Sequence, residues 1–253
     1  MRELRYRAIA DELRRRVEAG DFGAGRLLPS EASLSEEYGS SRITVRRALE
    51  LLRSEGLVDA RQGFGWFVAT DPFRQALGRL GTIEAQLAAA GVSSERRVVD
   101  FRFVRAPARV REVLGVDSVL EVRRVNYTLG PGGRQPFARI TVWCPSPLGA
   151  KLSRDDVERS SFYELLPVTL GGATQTIAAG VASADDAELL EVPPGSPVLV
   201  CERITRSSEA IPVLLSVHVF PAHLTEFVVD LPKVEASMSM APSGLRLVAG
   251  ESS

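Results

Sequence analysis

The clearest hydrophobic pattern in this chain lies between residues 41 and 56. Four apolar residues there recur at the three- and four-residue spacing of one helical face: Val45, Ala48, Leu49 and Leu52. The positions between them are mostly polar or charged, so the spacing predicts a helix with a single buried stripe. Ser41 can cap the start of this helix, and Gly56 can adopt the left-handed conformation that commonly ends one.

Related patterns flank that helix. An earlier helical stripe ends before Gly20 and consists of Tyr6, Ile9, Ala10, Leu13 and Val17. A short helix is predicted after Ser30. After Gly56, the apolar residues at 57–58 and 66–68 flank a glycine-containing turn, which predicts a hairpin. Three helices followed by a hairpin form a winged helix-turn-helix, whose recognition helix inserts its N-terminal residues into the DNA major groove.

Beyond residue 98 the pattern changes to the alternation that is typical of strands. The predicted strands are 98–104, 119–129, 137–144, 174–183, 198–205 and 211–220, and four of them form two hairpins. The predicted helical segments are 83–90, 110–114, 161–166 and 185–190. Hairpins with interspersed helices indicate an α+β domain built on an antiparallel sheet.

A weak internal repeat lies within this second part. Residues 110–124 and 187–203 both run from a helix through Leu-x-Val and a turn to Val-Leu-x-x-x-Arg, and each leads into a hairpin. Arg124 and Arg203 occupy equivalent positions in the repeat. A duplicated unit predicts two halves around a shared centre; the alternative is coincidence in a chain rich in valine and leucine.

Composition and charge narrow the function classes. The net charge of the 253 residues is −1, and the first seventy carry 12 arginines against 11 acidic residues. DNA binding must therefore come from locally placed arginines rather than from bulk charge. Two cysteines and two histidines form no disulfide framework and no zinc pattern. The charged N-terminus and the lack of a long apolar run predict a soluble cytoplasmic protein.

Several spaced motifs in the first seventy residues, LPSE, SRITVRRAL, EGL and RQGFGWFV, resemble the DNA-binding domain of the GntR family of bacterial transcription regulators. The resemblance implies DNA contacts from the start of the recognition helix and from the tip of the wing. The implied DNA-binding residues are Ser41, Arg42, Ile43, Thr44, Arg46, Arg47, Gln62, Gly63 and Gly65. Arg42 or Arg46 is expected to bind guanine, since arginine can contact O6 and N7 together. The alternative for these arginines is a solvated helix face.

Two positions depart from that family pattern. Many relatives carry a basic residue where this chain has Ala32, and an arginine in the wing where it has Phe64. The loss of both cationic donors implies either a somewhat different operator sequence or weaker binding.

The second part resembles the UTRA effector domain of the HutC subgroup of GntR regulators, which has a chorismate-lyase-like fold. The features that carry this resemblance include SFYELL at 161–166, the Leu190-x-Val192 turn, and Arg203 followed by IPVLLS. The resemblance implies an effector pocket lined by Thr82, Arg124, Asn126, Ile140, Ser161, Ser216 and His218. The alternative for each of these residues is ordinary packing on the surface of the sheet.

Two of the implied pocket positions differ from relatives that bind sugar phosphates. Asn126 stands where the family pattern has a second arginine, and Ile140 stands where it has an acidic residue. These differences argue against a phosphorylated sugar and favour a less charged or more apolar ligand, such as an organic anion. Thr82 stands where those relatives have a hydroxyl residue that holds an anion at a helix start.

Together these patterns predict a winged-helix domain at 1–70, a linker at 71–81, an effector-binding and dimerisation domain at 82–235, and a disordered tail at 236–253. The expected protein is a homodimeric repressor that a small-molecule effector releases from double-stranded operator DNA. The alternative is a regulator whose second domain only dimerises and binds no effector. No phosphate loop, nucleophile elbow or metal cluster is visible, and likeness to chorismate lyase transfers no activity. Neither an enzyme nor a protein that needs a metal or cofactor is expected.

Overall fold

The computed structural model describes residues 2–22, 25–61, 65–69, 73–77, 81–130 and 133–229. Its N-terminal part, here called the winged-helix unit, spans the described residues up to 69. The elements of this unit are α1 (Arg2–Glu18), α2 (Glu31–Glu37), α3 (Arg42–Ser54), β1 (Val58–Arg61) and β2 (Gly65–Val68). β1 and β2 pair in antiparallel register, so the predicted three helices and hairpin are confirmed.

Helix α3 begins and ends where the sequence predicts. The Oγ atom of Ser41 accepts a hydrogen bond from the backbone N–H of Thr44, and Gly56 follows the helix at φ +75°. The predicted apolar stripe is fully buried against α1 and α2, together with residues such as Leu13 and Leu34. This packing fixes which face of α3 points outward.

The larger C-terminal part, here called the sheet unit, contains one six-stranded antiparallel sheet. Its strands are β4 (Ser94–Arg105), β5 (Ser118–Gly130), β6 (Gly133–Pro145), β7 (Leu170–Val181), β8 (Pro197–Ser207) and β9 (Pro212–Pro221), in the order β4-β5-β6-β9-β8-β7. The helices of this unit are α4 (Ile83–Ala89), α5 (Ala108–Leu114), α6 (Ser146–Gly149), α7 (Arg154–Arg159), α8 (Phe162–Leu165) and α9 (Ala184–Leu190). The predicted α+β class is confirmed.

The sheet is built from two copies of one strand–helix–hairpin unit. β4, α5, β5 and β6 form the first copy, and β7, α9, β8 and β9 form the second. β6 and β9 meet in antiparallel register at the centre, so the two copies are related by an approximate twofold axis between them. The internal repeat in the sequence therefore corresponds to a repeat in the structure.

The two faces of the sheet are covered by different helices. α4, α7 and α8 pack on one face through Leu87, Val157 and Phe162, while α5 and α9 pack on the other face through Val110 and Leu190. Among the helices that the structure describes, none is long and apolar enough to cross a membrane.

The segment 71–81, predicted as a polar linker, contains a strand that the sequence analysis did not anticipate. β3 (Phe73–Ala76) pairs in parallel with β10 (Thr225–Val228) as a separate two-stranded sheet. Such a short strand shows no period of its own, and its partner lies 152 residues away. α6, α7 and β10 were missed for the same reason, since each is six residues or fewer. The predicted tail lies outside the described residues.

The winged-helix unit contacts the sheet unit directly. Leu27 packs against a cluster that includes Leu190 and Val192, and His223 donates a hydrogen bond from Nε2 to the carbonyl of Gly25 at 3.1 Å. An ion pair joins Arg26 to Glu191. Glu191 adopts φ +53°, a left-handed conformation that costs a non-glycine residue energy, whereas Gly115 occupies the equivalent position of the first copy at φ +67°.

Candidate functional site

The outward face of α3 presents four side chains beside each other. Arg42, Ile43, Arg46 and Arg47 are all exposed, and 76% of Ile43 is accessible to solvent. An apolar side chain this exposed is free for contact with a partner. The start of α3 is also a capped helix terminus, since the Ser41 hydroxyl accepts a hydrogen bond from the backbone N–H of Thr44; the hydroxyls of the two residues lie 2.9 Å apart.

The three arginines of this face differ in their surroundings. Arg46 donates two hydrogen bonds to the carboxylate of Glu31, at 2.9 and 2.7 Å. Arg47 lies over the ring of Tyr6, with 5.8 Å between the guanidinium carbon and the ring centre. Arg42 donates no hydrogen bond to any of the residues described here. Arg42 is therefore the guanidinium that a new acceptor can bind without displacing an internal one.

Glu31 is the residue that organises this surface, and the sequence analysis did not identify it. Its carboxylate accepts the two bonds from Arg46 and a third from the indole N–H of Trp66 in β2, at 3.0 Å. The hydrogen bonds from Arg46 lower the pKa of Glu31 against the opposing effect of its partial burial. Glu31 thus connects α2, α3 and the wing through one charge.

The wing can be described only in part. Gly65 begins β2 at φ +91°, and a Cβ atom added there would meet nothing within 4 Å. The need for glycine at this position therefore comes from the backbone conformation and not from crowding. Gln62 and Gly63, the other predicted wing contacts, lie outside the described residues.

A second candidate site is a cavity between the sheet and the helices α4 and α8. The empty space between its atoms, including the part that is open to solvent, is about 550 Å³. Its lining residues are Gln75, Thr82, Ile83, Glu84, Gln86, Arg124, Ile140, Val142, Ser161, Phe162, Tyr163, Arg203, Leu214, Ser216 and His218. Six of the seven residues predicted for the pocket lie here, and Asn126 does not.

The floor of the cavity is formed by adjacent strands of the sheet. Arg124, Ile140 and His218 stand side by side on β5, β6 and β9, and Val142, Ser216 and Arg203 form the next row on β6, β9 and β8. The two arginines therefore lie on the strands that flank the central pair, at equivalent positions of the two copies. The cavity is the shared centre that the repeat predicted.

Arg124 is a buried cation with few partners. Only 6% of the residue is exposed, and its Nε atom has no hydrogen-bond acceptor among the residues that the structure describes. Its contacts are long: Nη1 lies 3.4 Å from the carbonyl of Val157, and Nη2 lies 3.9 Å from Glu84. Burial lowers the pKa of Arg124 to about 10, although the negative charge of Glu84 opposes this change. An anion in the cavity would provide the missing partner.

Glu84 is already occupied by other residues, and this explains the position of Asn126. Glu84 accepts hydrogen bonds from Arg96 at 2.6 Å and from the Asn126 side-chain amide at 2.7 Å. Burial raises the pKa of Glu84, but the hydrogen bond from Arg96 and the charges of Arg124 and Arg96 outweigh it and bring the pKa to about 2. Asn126 is fully buried behind the cavity wall, where it orients Glu84. Asn126 is therefore not among the residues that line the cavity, and its role in effector binding stays a prediction.

Arg203 is the second cation of the cavity, and it was not predicted as a site residue. It donates hydrogen bonds to the side-chain carbonyl of Gln175, to the Gly81 carbonyl and to the Tyr163 hydroxyl. These acceptors are neutral, and within the described chain no carboxylate forms an ion pair with Arg203. The repeat was the available signal, since it equates Arg203 with Arg124.

Four other predicted residues form local hydrogen bonds. Thr82 caps α4 by accepting from the backbone of Ala85 at 3.1 Å, and the Ser161 hydroxyl donates to Glu164 at 3.0 Å. His218 lies 3.0 Å from the Ser216 hydroxyl. Burial, together with the charges of Arg203 and Arg124, lowers the pKa of His218 to about 3, so its ring is neutral near pH 7. The cavity therefore carries an excess of positive charge from its arginines alone.

The cysteines do not add chemistry to either site. Cys144 and Cys201 are both buried, and burial raises the pKa of each thiol to about 12. Such thiols are unreactive near neutral pH. Within the described ranges, no cluster of three or more histidine, cysteine or acidic residues is arranged to hold a metal ion.

Comparison with known proteins separates the chain into the same two parts. The family described as bacterial regulatory proteins, gntR family, matches residues 5–68, and the UTRA domain matches residues 89–225. The HTH-type transcriptional regulator Rv0792c of Mycobacterium tuberculosis is 34% identical over 89% of this chain and 85% of its own length. The HTH-type transcriptional repressor NagR of Bacillus subtilis is 27% identical over 79% of this chain and 83% of its own length. The crystal structure of PhnF from Mycobacterium smegmatis is similar at a TM-score of 0.59 and 25% identity, and covers 88% of this chain and 99% of the PhnF chain.

Proposed function

This chain belongs to the gntR family of bacterial regulatory proteins and carries a UTRA domain, and from this premise we propose that it is a cytoplasmic, homodimeric repressor released from its operator by a small organic anion. As a member of that family it is a DNA-binding transcription regulator, and its relatives Rv0792c and NagR are also named as regulators. The homodimer, the cytoplasmic location, the anionic effector and the residue roles below are the proposal. The name of the relative NagR, a repressor, supports the direction of regulation.

The exposed face of α3 carries the DNA-binding part of the proposal. Ile43 lies between Arg42 and Arg46 on the exposed face of α3, and the opposite face of the helix is fully buried in the core. The exposed face can therefore enter a DNA groove while the packing of the helix stays intact. Arg42 would contact a guanine, Ile43 a thymine methyl, and Ser41 and Thr44 the phosphates. Arg46 and Arg47 would add further contacts from the same face, with Gly65 and the predicted wing residues Gln62 and Gly63 at the minor groove.

The buried guanidinium of Arg124, whose Nε atom has no acceptor among the described residues, carries the effector part of the proposal. A buried cation with a weak anionic partner is costly. The carboxylate that Arg124 approaches, that of Glu84, lies 3.9 Å away and already accepts hydrogen bonds from Arg96 and Asn126, while the acceptors of Arg203 are neutral. An anionic ligand would relieve this cost. Ile140, Val142 and Phe162 would contact the apolar part of the same molecule. Thr82, Ser161, Ser216 and His218 would contribute through the hydroxyl and imidazole groups at the cavity wall.

The test uses the purified full-length chain. Duplexes selected from a random pool give the operator, and fluorescence anisotropy measures binding while matched carboxylates, their neutral amides and phosphate monoesters are added. The proposal expects release by a carboxylate and no release by its amide. Release by the phosphate monoester alone would replace the organic acid with a phosphorylated ligand.

The alternative function is a regulator whose sheet unit only dimerises. The observation in its favour is that Thr82 and Ser161 already use their hydroxyls in local hydrogen bonds. Under this alternative, no compound in the panel stabilises the protein or alters its DNA affinity, while sedimentation still shows a dimer.

A further inference from the structure

The strand that connects the two units places one polar side chain inside the effector cavity. In β3, Arg74 and Ala76 are exposed, whereas Gln75 between them is only 5% exposed and lines the cavity. The side-chain Nε2 of Gln75 has no hydrogen-bond acceptor among the residues that the structure describes. A buried amide that lacks a partner is unfavourable, so an apolar residue would suit this position better if packing were its only role.

Gln75 shares this property with one other cavity residue, Arg124. The Nε atom of Arg124 and the Nε2 atom of Gln75 are both buried donors without an acceptor in the described chain, and both belong to the same cavity. They come from different parts of the fold, since β5 carries one and the interdomain strand β3 carries the other. Two independent donors that lack partners at one cavity point to a ligand with oxygen acceptors.

The surroundings of β3 make Gln75 a mechanical link as well. β3 is held by its pairing with β10, by a hydrogen bond from the Ala76 N–H to the side chain of Gln86, and by one from the Leu77 N–H to the Val228 carbonyl. Gln86 also lines the cavity. Along the chain, β3 lies between the wing, which ends at Val68, and α4. The polypeptide therefore passes from one unit to the other through β3.

We propose that Gln75 contacts the effector directly and donates a hydrogen bond from its side-chain amide to an oxygen of the ligand, while Arg124 binds the anionic group. This inference rests on the proposed function and deepens it. The ligand class is a small carboxylate with a further oxygen acceptor, as in hydroxy and keto acids. Ligand binding then holds β3 more firmly against the cavity. Because β3 lies in the segment that joins the two units, the ligand acts directly on that segment. By reciprocity, if the DNA-bound protein favours another arrangement of β3, DNA lowers the affinity for the ligand by the same factor by which the ligand lowers the affinity for DNA.

The test compares Gln75→Leu and Gln75→Glu with Arg74→Ala in the full-length protein. The control removes an exposed ion pair between β3 and β10 and leaves the cavity intact. Thermal unfolding without any added compound comes first: Gln75→Leu should raise the melting temperature, since it removes an unpartnered buried amide. A lower melting temperature for Gln75→Leu than for Arg74→Ala would mean that the amide is bonded within the protein, and would overturn the inference.

The second measurement uses a panel of lactate, pyruvate, glycerate, malate and 2-oxoglutarate, with calorimetric affinities for any compound that stabilises the wild type. Gln75→Leu should lower the affinity for the tightest-binding compound about tenfold, which corresponds to the loss of one hydrogen bond of about 1.4 kcal/mol. Gln75→Glu should lower that affinity further, because the new carboxylate repels the carboxylate of the ligand. Arg74→Ala should bind the compound with the affinity of the wild type. Equal affinity in the wild type and Gln75→Leu, with binding lost in an Arg124 variant, would overturn the role of Gln75 and leave the proposed function standing. No binding by any compound to the wild type would overturn the hydroxy- and keto-acid class itself.

Discussion

The guanidinium of Arg46 and the carboxylate of Glu31 form a two-bond ion pair on the surface proposed to bind DNA, with oxygen–nitrogen distances of 2.9 and 2.7 Å. Trp66 holds the same carboxylate from the wing side. A negative charge at this position opposes the approach of phosphate, and it also restricts the orientations available to Arg46. Arg42, one turn earlier, also feels the charge of Glu31, but within the described chain it donates no hydrogen bond to that carboxylate, so its orientation is not held by it. The two arginines should therefore differ in their contributions to DNA binding.

Arg42→Ala should weaken operator binding by about 1–3 kcal/mol, because it removes the guanidinium that needs no internal rearrangement. Arg53→Ala, at the far end of α3, is the matched control, since it loses a surface ion pair with Asp59 only. Fluorescence anisotropy gives the affinities, and circular dichroism checks the fold. Equal affinities for the Arg42 variant and the wild type would place the DNA contact on another surface.

Glu31→Gln should tighten DNA binding several-fold at low salt, because it removes a carboxylate beside the phosphate backbone and frees Arg46. The effect should shrink as salt is added. The low pKa of Glu31 means that its ion pair stabilises the fold above the usual carboxylate pKa and is lost as the pH falls through the lowered value. Weaker binding by Glu31→Gln would show instead that the ion pair holds Arg46 in its DNA-binding orientation.

Arg124→Met should abolish the response to the effector while it removes a buried charge from the ligand-free protein. Methionine keeps much of the side-chain volume, so the melting temperature without ligand should not fall. Anisotropy with the operator and the releasing compound measures the response. A variant that still releases DNA at the same ligand concentration would contradict the role of Arg124 in the cavity.

Acidification should destabilise the protein partly through His218. Its folded pKa of about 3 lies below the ordinary value of 6.5, so the unfolded chain binds the proton first and stability falls as the pH drops from 6.5 towards 3. Between pH 6.5 and 5 the loss should be about 1–2 kcal/mol, at about 1.4 kcal/mol for each pKa unit. Urea unfolding of wild type and His218→Gln at these two pH values isolates the effect, since Gln does not titrate. Identical slopes for the two proteins would mean that His218 is accessible to protons when folded.

Glu191→Gly should increase the stability of the sheet unit by roughly 0.5–1 kcal/mol, since glycine at φ +53° avoids a steric cost of about 1–2 kcal/mol and loses about 0.5–1 kcal/mol of additional backbone entropy. The same change removes the ion pair with Arg26, so hydrogen exchange at residues 25–28 should become faster. Gly115→Ala, at the equivalent position of the other copy, is the reverse control and should be destabilising. Unchanged exchange at 25–28 would show that Leu27 and His223 hold the two units together without the ion pair.

The parts of this structure that the sequence predicted are those with a strong local signal. The stripe of α3, its Ser41 cap and its Gly56 terminus are all local, and all appear as expected. Ile140 and His218 were placed in the pocket by resemblance, and register on neighbouring strands brings them together. Asn126 does not line the cavity, because its buried side-chain amide is used by Glu84, a contact with α4 that local sequence could not predict.

The roles of residues whose partners are distant in the sequence could not be predicted from local sequence patterns. Gln75 falls within the predicted linker because the four residues of β3 are too few to show a period, and the pairing with β10 turns its side chain into the cavity. Glu31 was seen as part of a motif, but its partners Arg46 and Trp66 lie on two other elements. Arg203 was visible in the repeat, yet the hydrogen bond to Gly81 that ties it to the connection before α4 needs the folded chain.

The pairing of β3 with β10 sets an order on the synthesis of the protein. The winged-helix unit is complete when residue 68 has left the ribosome, whereas β3 has to wait for a partner made 152 residues later. A nascent or truncated chain that stops before Thr225 therefore possesses a finished recognition helix and lacks the strand that holds Gln75 against the cavity. Under the proposed function, frameshifts in this last stretch should produce regulators that still bind DNA but no longer respond to the proposed effector, and in the proposed dimer such subunits would act dominantly over the intact protein.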